Sequence, residues 1–319
     1  MSVYTSLTPE ETNYFLRDFD VGHLIRLEEI QDGVVNSNFR VDTSQGQFVL
    51  TLTEDPDQGQ GLSDTCALLD YLAHKGVPCP RPIVNRVGQM IGQLKGHPAL
   101  LATRLPGVSP VVPTPKQCRL VGEMLAKIHL FGKDFPKPRP NPMGPTTLQH
   151  LLQQLTPVYT DALIVDLLHK EMTHLLQPPQ IDLPQGMCHT DLFPDNTLFQ
   201  GEYLTGVIDF HYASFDRFVH DFAILLNAWG FQAGQPDPIR WRTLWQGYVH
   251  YRPLTKNEMF SMSWALRGAA LRFALTRLTA QVFPRPGQTV TRKPPQEYLD
   301  RLVFYQNHDW QEVLGLFFD

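Results

Sequence analysis

The sequence predicts an α+β protein of two lobes, a small antiparallel β-rich N-terminal lobe followed by a larger, mainly helical C-terminal lobe. Three observations carry that prediction. Short apolar runs with alternating or clustered spacing, joined by turn residues, fill the stretch 24–105. Helical spacing takes over after the Pro/Gly break LPGVSP at 105–110. One strand-like island, 187–216, then interrupts the helical part. The boundary is drawn so that residues 1–104 form the first lobe and 105–319 the second.

Residues 8–20 read as a helix, with Thr8 as cap, Pro9 in the first turn and Glu11 completing a capping-box spacing. LIRLEEI (24–30), SNFRVDT (37–43) and GQFVLTL (46–52) read as strands, with turns at Asp32-Gly33 and at Ser44-Gln45-Gly46. Helical spacing returns over 63–75 through Cys66, Leu69, Leu72 and Ala73, and Gly76 stops it. VPCPRPI (77–83) is a Pro-locked extended passage, and 89–94 and 97–105 read as two more strands. Beyond the boundary, 116–131 is an amphipathic helix with Leu120, Met124, Ile128 and Phe131 on one face. GKDFPKPRPNPMGP (132–145) reads as loop, and 147–177, 219–229, 239–252 and 256–282 as helix.

Composition narrows the class of function. The chain has 319 residues and 27 Lys+Arg against 32 Asp+Glu, a net charge of −5, with no concentrated basic run to meet a polyanion. No nucleic-acid partner is expected. No apolar run approaches the roughly 18–20 residues that span a bilayer, so no membrane partner is expected either. The N-terminus MSVYTSLTPEETNYF lacks a basic and an apolar signal region, and Cys66, Cys79, Cys118 and Cys188 form no CxxC pair. The expectation is a cytoplasmic protein with reduced, buried thiols.

The island holds the chemistry. Two short apolar runs, 196–199 and 205–210, joined through Gln200-Gly201-Glu202, predict a hairpin. His189-x-Asp191-x-x-x-x-Asn196 precedes the first run and Asp209 stands at the tip of the second, so a hairpin brings Asp191, Asn196 and Asp209 together. Converging acids and an amide suit a hard divalent cation beside a spare carboxylate. That combination fits phosphoryl transfer to an alcohol, with Asp191 as base, Asn196 and Asp209 holding Mg²⁺, and His189 bracing the loop. Asp and Asn are also ordinary turn residues in a Pro-containing loop, and His189, Asp191, Asp209 and His211 form a second arrangement suited to a transition metal. GxxxxGK[ST] is absent. Instead, IQDGVVNSNF (30–39) offers Gly33 for close backbone approach and Asn36, Ser37 and Asn38 as donors to phosphate oxygens, or it is a hairpin turn alone.

HTDLFPDN followed by GVIDF resembles the catalytic loop and metal-binding strand of the aminoglycoside phosphotransferase-like kinases, whose fold is protein-kinase-like. MSVYTSLT, GVVNSNF, GQFVLTLTE, GVPCPRPI, HTDLFPDN, DFAILLNAW and GAALRFALTRL, in that order, resemble the bacterial homoserine kinase branch across essentially the whole chain. The resemblance implies ATP- and Mg²⁺-dependent phosphorylation of the L-homoserine hydroxyl, with a nucleotide-binding first lobe and a second lobe holding catalytic loop and substrate pocket. It implies Asp191 as the catalytic Asp, Asn196 and Asp209 as metal ligands, and Asp221 as the helix Asp that steadies the catalytic loop. Residues 99–104, Thr103 among them, would be the hinge that meets adenine. One departure stands out: many related kinases carry a third-strand Lys or Arg at the phosphates, where this chain has Thr51. An inactive nucleotide-binding module therefore stays open as an alternative, as do kinases of amino alcohols, methylthioribose or aminoglycosides.

Homoserine is a zwitterion, so its pocket must pair a carboxylate and an ammonium. Arg272, on an otherwise apolar helix, is the preferred carboxylate contact, with Asn227 and His211 as further lining residues. A packing role for Arg272 and Arg277 is the alternative. His129 reads as a structural residue near a helix C-terminus. Trp229, Trp241, Trp245 and Trp264 read as core.

Overall fold

The fold was analysed in a computed structural model that describes residues 5–30, 36–54, 59–284, 293–308 and 312–315. The chain divides into two compact units, one built on Met1–Pro106 and the other on Gly107–Pro284 with the C-terminal helix.

In the first unit, α1 (Pro9–Leu16) begins with both bonds of a capping box: Thr8 Oγ1 accepts from the Glu11 N–H and the Glu11 carboxylate accepts from the Thr8 N–H. It stops at Leu16 rather than at residue 20, because Phe19 and Val21 turn back into the core. The strands follow as β1 (Leu24–Ile30), β2 (Asn36–Thr43) and β3 (Gly46–Thr53), then α2 (Gly59–His74), β4 (Ile91–Leu94) and β5 (His97–Thr103). They form one sheet in the order β1-β2-β3-β5-β4, with every neighbouring pair antiparallel. The expected Asp32-Gly33 turn lies outside the described residues. Both faces of β5 are covered. Ala99 and Leu101 join Phe39, Val41, Leu50, Leu52 and the α1 residues Phe15 and Leu16. Leu100 and Ala102 pack instead with Cys66 and Leu62 of α2. A strand buried on both faces reads as a continuous apolar run, which is why PALLA lacks alternation.

The second unit opens with α3 (Pro115–Gly132), α4 (Pro145–Leu155) and α5 (Ala162–Leu175). The 147–177 run is thus two helices, separated at 156–161. The buried face of α3 carries Cys118, Val121, Leu125, Ile128 and His129 rather than Leu120, Met124 and Phe131. Close helix contact sets that face. A Cβ added to Gly122 would lie 2.3 Å from the Leu244 carbonyl oxygen, and one added to Gly247 would lie 2.1 Å from that of Arg119.

Next come β6 (Gln185–Cys188), β7 (Thr197–Gln200), β8 (Tyr203–Val207), β9 (Ser214–Arg217) and α6 (Phe218–Trp229). After them are β10 (Phe231–Gln232), β11 (Gln235–Pro236), α7 (Pro238–Tyr251), α8 (Lys256–Val282) and α9 (Gln296–Asn307). The expected hairpin is β7–β8, turning at Gly201 with φ +59°. The sequence did not announce β6 and β9, which pair with each other and bracket the hairpin. Residues 189–196 therefore link β6 to β7, and 208–213 link β8 to β9. No helix of the described residues is long and apolar enough to cross a membrane.

Candidate active site

The loop after β6 is fixed from below by one buried carboxylate. Asp221, in the first turn of α6 and without solvent exposure, accepts the backbone N–H groups of His189 and Thr190, each at 2.8 Å. It also accepts from His129 Nε2 at 3.0 Å. Burial opposes its charge, but these donors outweigh burial and hold the carboxyl below the usual carboxylate range. His129 is equally buried, and burial pushes its imidazole below the ordinary histidine value. The pair is an ionised Asp221 and a neutral His129 whose Nε2–H donates. That tautomer leaves Nδ1 to accept from the Tyr248 hydroxyl at 2.7 Å. Arg252 in turn donates to the Tyr248 oxygen at 2.9 Å and to Glu258 at 2.8 Å.

With its backbone held this way, the loop adopts φ +60° at Thr190 and presents Asp191. His189 is fully buried, donates Nε2–H to the Ile208 carbonyl at 3.0 Å and accepts the Asp191 N–H on Nδ1 at 3.2 Å. Both ring nitrogens are engaged, so His189 braces the loop and is not available to a transition metal. Trp229 donates to the Leu192 carbonyl at 2.8 Å. Asn196 donates to the Asp191 carbonyl at 2.8 Å and reaches its carboxylate at 3.4 Å. The Asn196 carbonyl accepts the Ile208 N–H at 3.0 Å, tying this loop to the segment that carries Asp209. Burial pushes the Asp191 carboxyl up to about 7; the Arg272 guanidinium opposes that and the negative charge of Asp209 adds to it.

The structure therefore brings Asp191, Asn196 and Asp209 together, with His189 and Asp221 beneath them. Asp209 is exposed, at φ +61°, and its carboxylate meets the His211 N–H at a loose 3.4 Å. With the Asn196 amide nitrogen engaged by Asp191, an amide oxygen and a carboxylate remain as donors. That set fits a hard divalent cation of the Mg²⁺ kind, which takes one or two protein oxygens and keeps waters and phosphate oxygens. His129, Cys188 and Asp221 also place ligand atoms within 4.8 Å of one another. The hydrogen bonds above already engage both the imidazole and the carboxylate there, and the Cys188 thiol faces the carbonyls of Gly186 and Asp216.

Other expected residues sit elsewhere. Asn227 lies in the α6–α8 seam, donating to the carbonyls of Ala223 and Leu266 and accepting from Tyr305. Its amide is fully engaged in helix packing, not in a pocket. Arg272 is 2% exposed and donates to the Thr190 carbonyl at 2.7 Å, so it is first a strut of the catalytic loop. Its Nε is buried without a partner. His211 is half-buried, two residues past Asp209. Arg277 binds Glu297 and the Pro294 carbonyl, a packing role.

In the first unit, Ser37 donates to Glu54, and Asn38 accepts from Thr51 at 2.7 Å and reaches the Asn36 carbonyl. These side chains serve the sheet, while the Asn36 amide oxygen is buried without a partner. Gly33 lies outside the described residues. The backbone of 99–103 is engaged on both edges, by β3 on one and by β4 and 81–83 on the other. The Thr103 hydroxyl accepts the Arg81 N–H. Thr103 is thus part of the sheet, and the next N–H, that of Arg104, donates to Gln47 O at 3.0 Å. Trp229 is core and His129 structural, as expected, though the partners of His129 are not a helix end but Asp221 and Tyr248; reasoning from sequence missed Thr190 and Arg139, whose partners are distant in the chain.

A carboxylate presented on a buried anchor, beside an amide and a second carboxylate on a hairpin, defines a kinase-like phosphotransferase. Known proteins agree. Residues 26–254 match the phosphotransferase enzyme (APH) family. A homoserine kinase of Rhodopseudomonas palustris strain BisB18 is 41% identical over 313 residues, 97% of this chain and 96% of that one. One of Beijerinckia indica is 38% identical over 320 residues, 99% of each. Among solved structures, amicoumacin kinase hAmiN in complex with AMP-PNP, Ca²⁺ and Ami has a TM-score of 0.73 at 13% identity, covering 96% of this chain and 97% of that one. Choline kinase from Cryptosporidium parvum has 0.67 at 11%, covering 97% and 98%. The chain belongs to the phosphotransferase enzyme family, among its homoserine kinases.

Proposed function

We propose that the chain is a cytoplasmic homoserine kinase, transferring the γ-phosphoryl group of ATP to the side-chain hydroxyl of L-homoserine. The product, O-phospho-L-homoserine, is a precursor of threonine. The observation that carries the reading is the placement of the Asp191 carboxylate on a loop anchored by Asp221 and His189, beside Asn196, where burial pushes its carboxyl up toward taking a proton. In this reading the homoserine oxygen attacks the γ-phosphorus, the bond to the β-phosphate oxygen breaks, ADP leaves, and the hydroxyl proton passes to Asp191. Asn196 Oδ1 and the Asp209 carboxylate would hold Mg²⁺, which neutralises charge on the phosphates. We assign nucleotide binding to the first unit and catalysis to the second.

Arg272 is the carboxylate contact in this reading. Its Nη1 is engaged by Thr190, which leaves the unpartnered Nε as the group to meet a homoserine carboxylate. His211 remains a pocket residue in this reading, and Asn227 does not. The test is coupled ADP release with Mg²⁺-ATP over L-homoserine, L-serine, L-threonine, choline, methylthioribose and kanamycin, with Asp191→Asn alongside. Turnover is expected with L-homoserine alone, falling about 10²–10⁴-fold in the variant, the range for a positioned base. Turnover with another acceptor would sink the substrate, and ATP binding without turnover would favour an inactive module.

A further inference from the structure

Asp209 heads a segment, 208–213, that has left the β8 ladder and has not yet joined β9. Backbone carbonyls in such a stretch need partners, and here side chains supply them from two flanks. From the catalytic loop, His189 donates to Ile208 O at 3.0 Å and Thr190 Oγ1 donates to Tyr212 O at 2.7 Å. From the Pro-rich passage between α3 and α4, one residue reaches three more, one of which, Phe210 O, also accepts the Ala213 N–H at 3.1 Å. Arg139 donates through Nη2 to Phe210 O at 3.2 Å and to His211 O, and through Nε to Ala213 O.

The passage is itself pinned to β9. The Phe215 N–H donates to Arg139 O at 2.7 Å, and Pro140 bridges Phe215 in parallel register. Asn141 Nδ2 donates to Asp216 Oδ2 at 2.6 Å, while Asn141 Oδ1 accepts the Met143 N–H at 2.8 Å. Asp216 is fixed in turn by His220 at 2.9 Å and by the Arg217 N–H at 2.7 Å.

We propose that Arg139 is a positioning residue for metal binding: its guanidinium clamps the carbonyls of Phe210, His211 and Ala213 and so holds Asp209 in ligating geometry, with the Asn141–Asp216 pair as its anchor. The inference rests on Asp209 being a metal ligand. Asp tolerates a φ of +61° better than most side chains, yet the conformation still needs support from its surroundings. The two flanks provide that support. A planar guanidinium fork spans several carbonyls at once, which a Lys ammonium does not match. Without Arg139 the catalytic-loop flank still holds Ile208 and Tyr212, so the unit keeps its fold while the Asp209 backbone is released toward ordinary φ.

The experiment compares the full chain with Arg139→Met, Arg139→Lys and Asp209→Ala. Mn²⁺ binding is titrated by electron paramagnetic resonance at saturating non-hydrolysable ATP analogue, with kcat and Tm measured in parallel. Arg139→Met is expected to weaken Mn²⁺ binding by about tenfold or more, as loss of an outer-shell partner does, with Arg139→Lys intermediate. A merely structural role would lower Tm and leave Mn²⁺ affinity of the folded protein unchanged, and that result overturns the proposal. Should Arg139→Met fail to fold, Arg139→Lys carries the same test, unchanged Mn²⁺ affinity again overturning it. Undiminished Mn²⁺ binding in Asp209→Ala would instead overturn the ligand reading, and the clamp with it.

Discussion

The β2–β3 hairpin and the loop 189–196 both carry the polar residues that a phosphate or metal site calls for, and they use them in opposite ways. In the hairpin the side chains are engaged by the sheet: Ser37 by Glu54 and Asn38 by Thr51, its partner in the strand register. Glu54 also accepts from the Thr5 N–H and hydroxyl, making a small polar hub at the end of β3. In the loop, the backbone and the buried residues His189 and Thr190 absorb the structural bonds, and Asp191 and Asn196 keep oxygens for chemistry, as Asp209 does on the neighbouring segment. A ladder offers each polar side chain a neighbour directly opposite. A loop offers none, so a functional loop needs a separate anchor, and Asp221 is that anchor.

The largest effect expected from this contrast is at Asp221. Asp221→Asn puts an amide N–H₂ among three donors and leaves buried N–H groups unsatisfied, destabilising the protein by on the order of 3 kcal/mol or more. Urea unfolding of the variant measures it. A midpoint within error of the parent would show that the loop carries its own conformation, and the contrast with the hairpin would collapse.

How much of this was legible follows chain distance. The hairpin β7–β8 and the trio Asp191, Asn196 and Asp209 lie within a short stretch whose spacing and alternation speak for themselves. The bonds that finish the site span the chain: 92 residues from His129 to Asp221, 72 from Arg139 to His211 and 82 from Arg272 to Thr190. No local pattern announces a partner that far away. Strands of four residues such as β6 and β9 are too short to show a period. The buried face of α3 was misjudged because Gly122 and Gly247, not the largest side chains, decide where α7 meets it. Asn227 and Arg272 stand out in the sequence because a polar residue on an apolar helix needs a reason, and a structural one is found for each. Helix packing supplied it for one and the catalytic loop for the other.

A middling effect should appear in acid. His129 and His189 are held neutral by burial, whereas in the unfolded chain each takes a proton near the ordinary value of about 6.5. The unfolded state then binds more protons, so stability is complete above that value and falls as pH drops below it. The slope reaches up to about 1.4 kcal/mol per pH unit for each histidine. The groups facing His129 are Asp221, Tyr248, Arg252 and Glu258. Asp216, held at about 2 by His220, the Arg217 N–H and Asn141 against the effect of burial, adds a second loss between about pH 4 and 2, where its depressed value ceases to help. The Asp191 carboxyl, raised to about 7 in the folded protein, takes up a proton over the same range and opposes this loss, so the urea midpoints are measured in Asp191→Asn, where they should decline in two stages. A flat profile from pH 7 to 5 would mean that the two imidazoles are charged in the folded protein, and the tautomer assigned to His129 would be wrong.

The smallest expected effect sharpens the comparison most. Ser37→Ala removes one hydroxyl that donates to Glu54 and none that faces a phosphate. It should cost about 1 kcal/mol of stability, the ordinary net worth of a hydrogen bond, and leave the KM for ATP within about threefold, a difference below 1 kcal/mol. The hydroxyl is 4% exposed in β2, so a phosphate would have to displace Glu54 to reach it, and carboxylate and phosphate repel. A rise in the ATP KM of tenfold or more, with stability unchanged, would show that Glu54 gives way when nucleotide binds. The stretch 30–39 would then be a phosphate loop whose Ser37 hydroxyl rests on an internal acid until the substrate arrives. The departure at Thr51 gives this measurement its weight: with no cation on the third strand, the hydroxyl and amides of 36–38 are side chains of this stretch left to meet a phosphate.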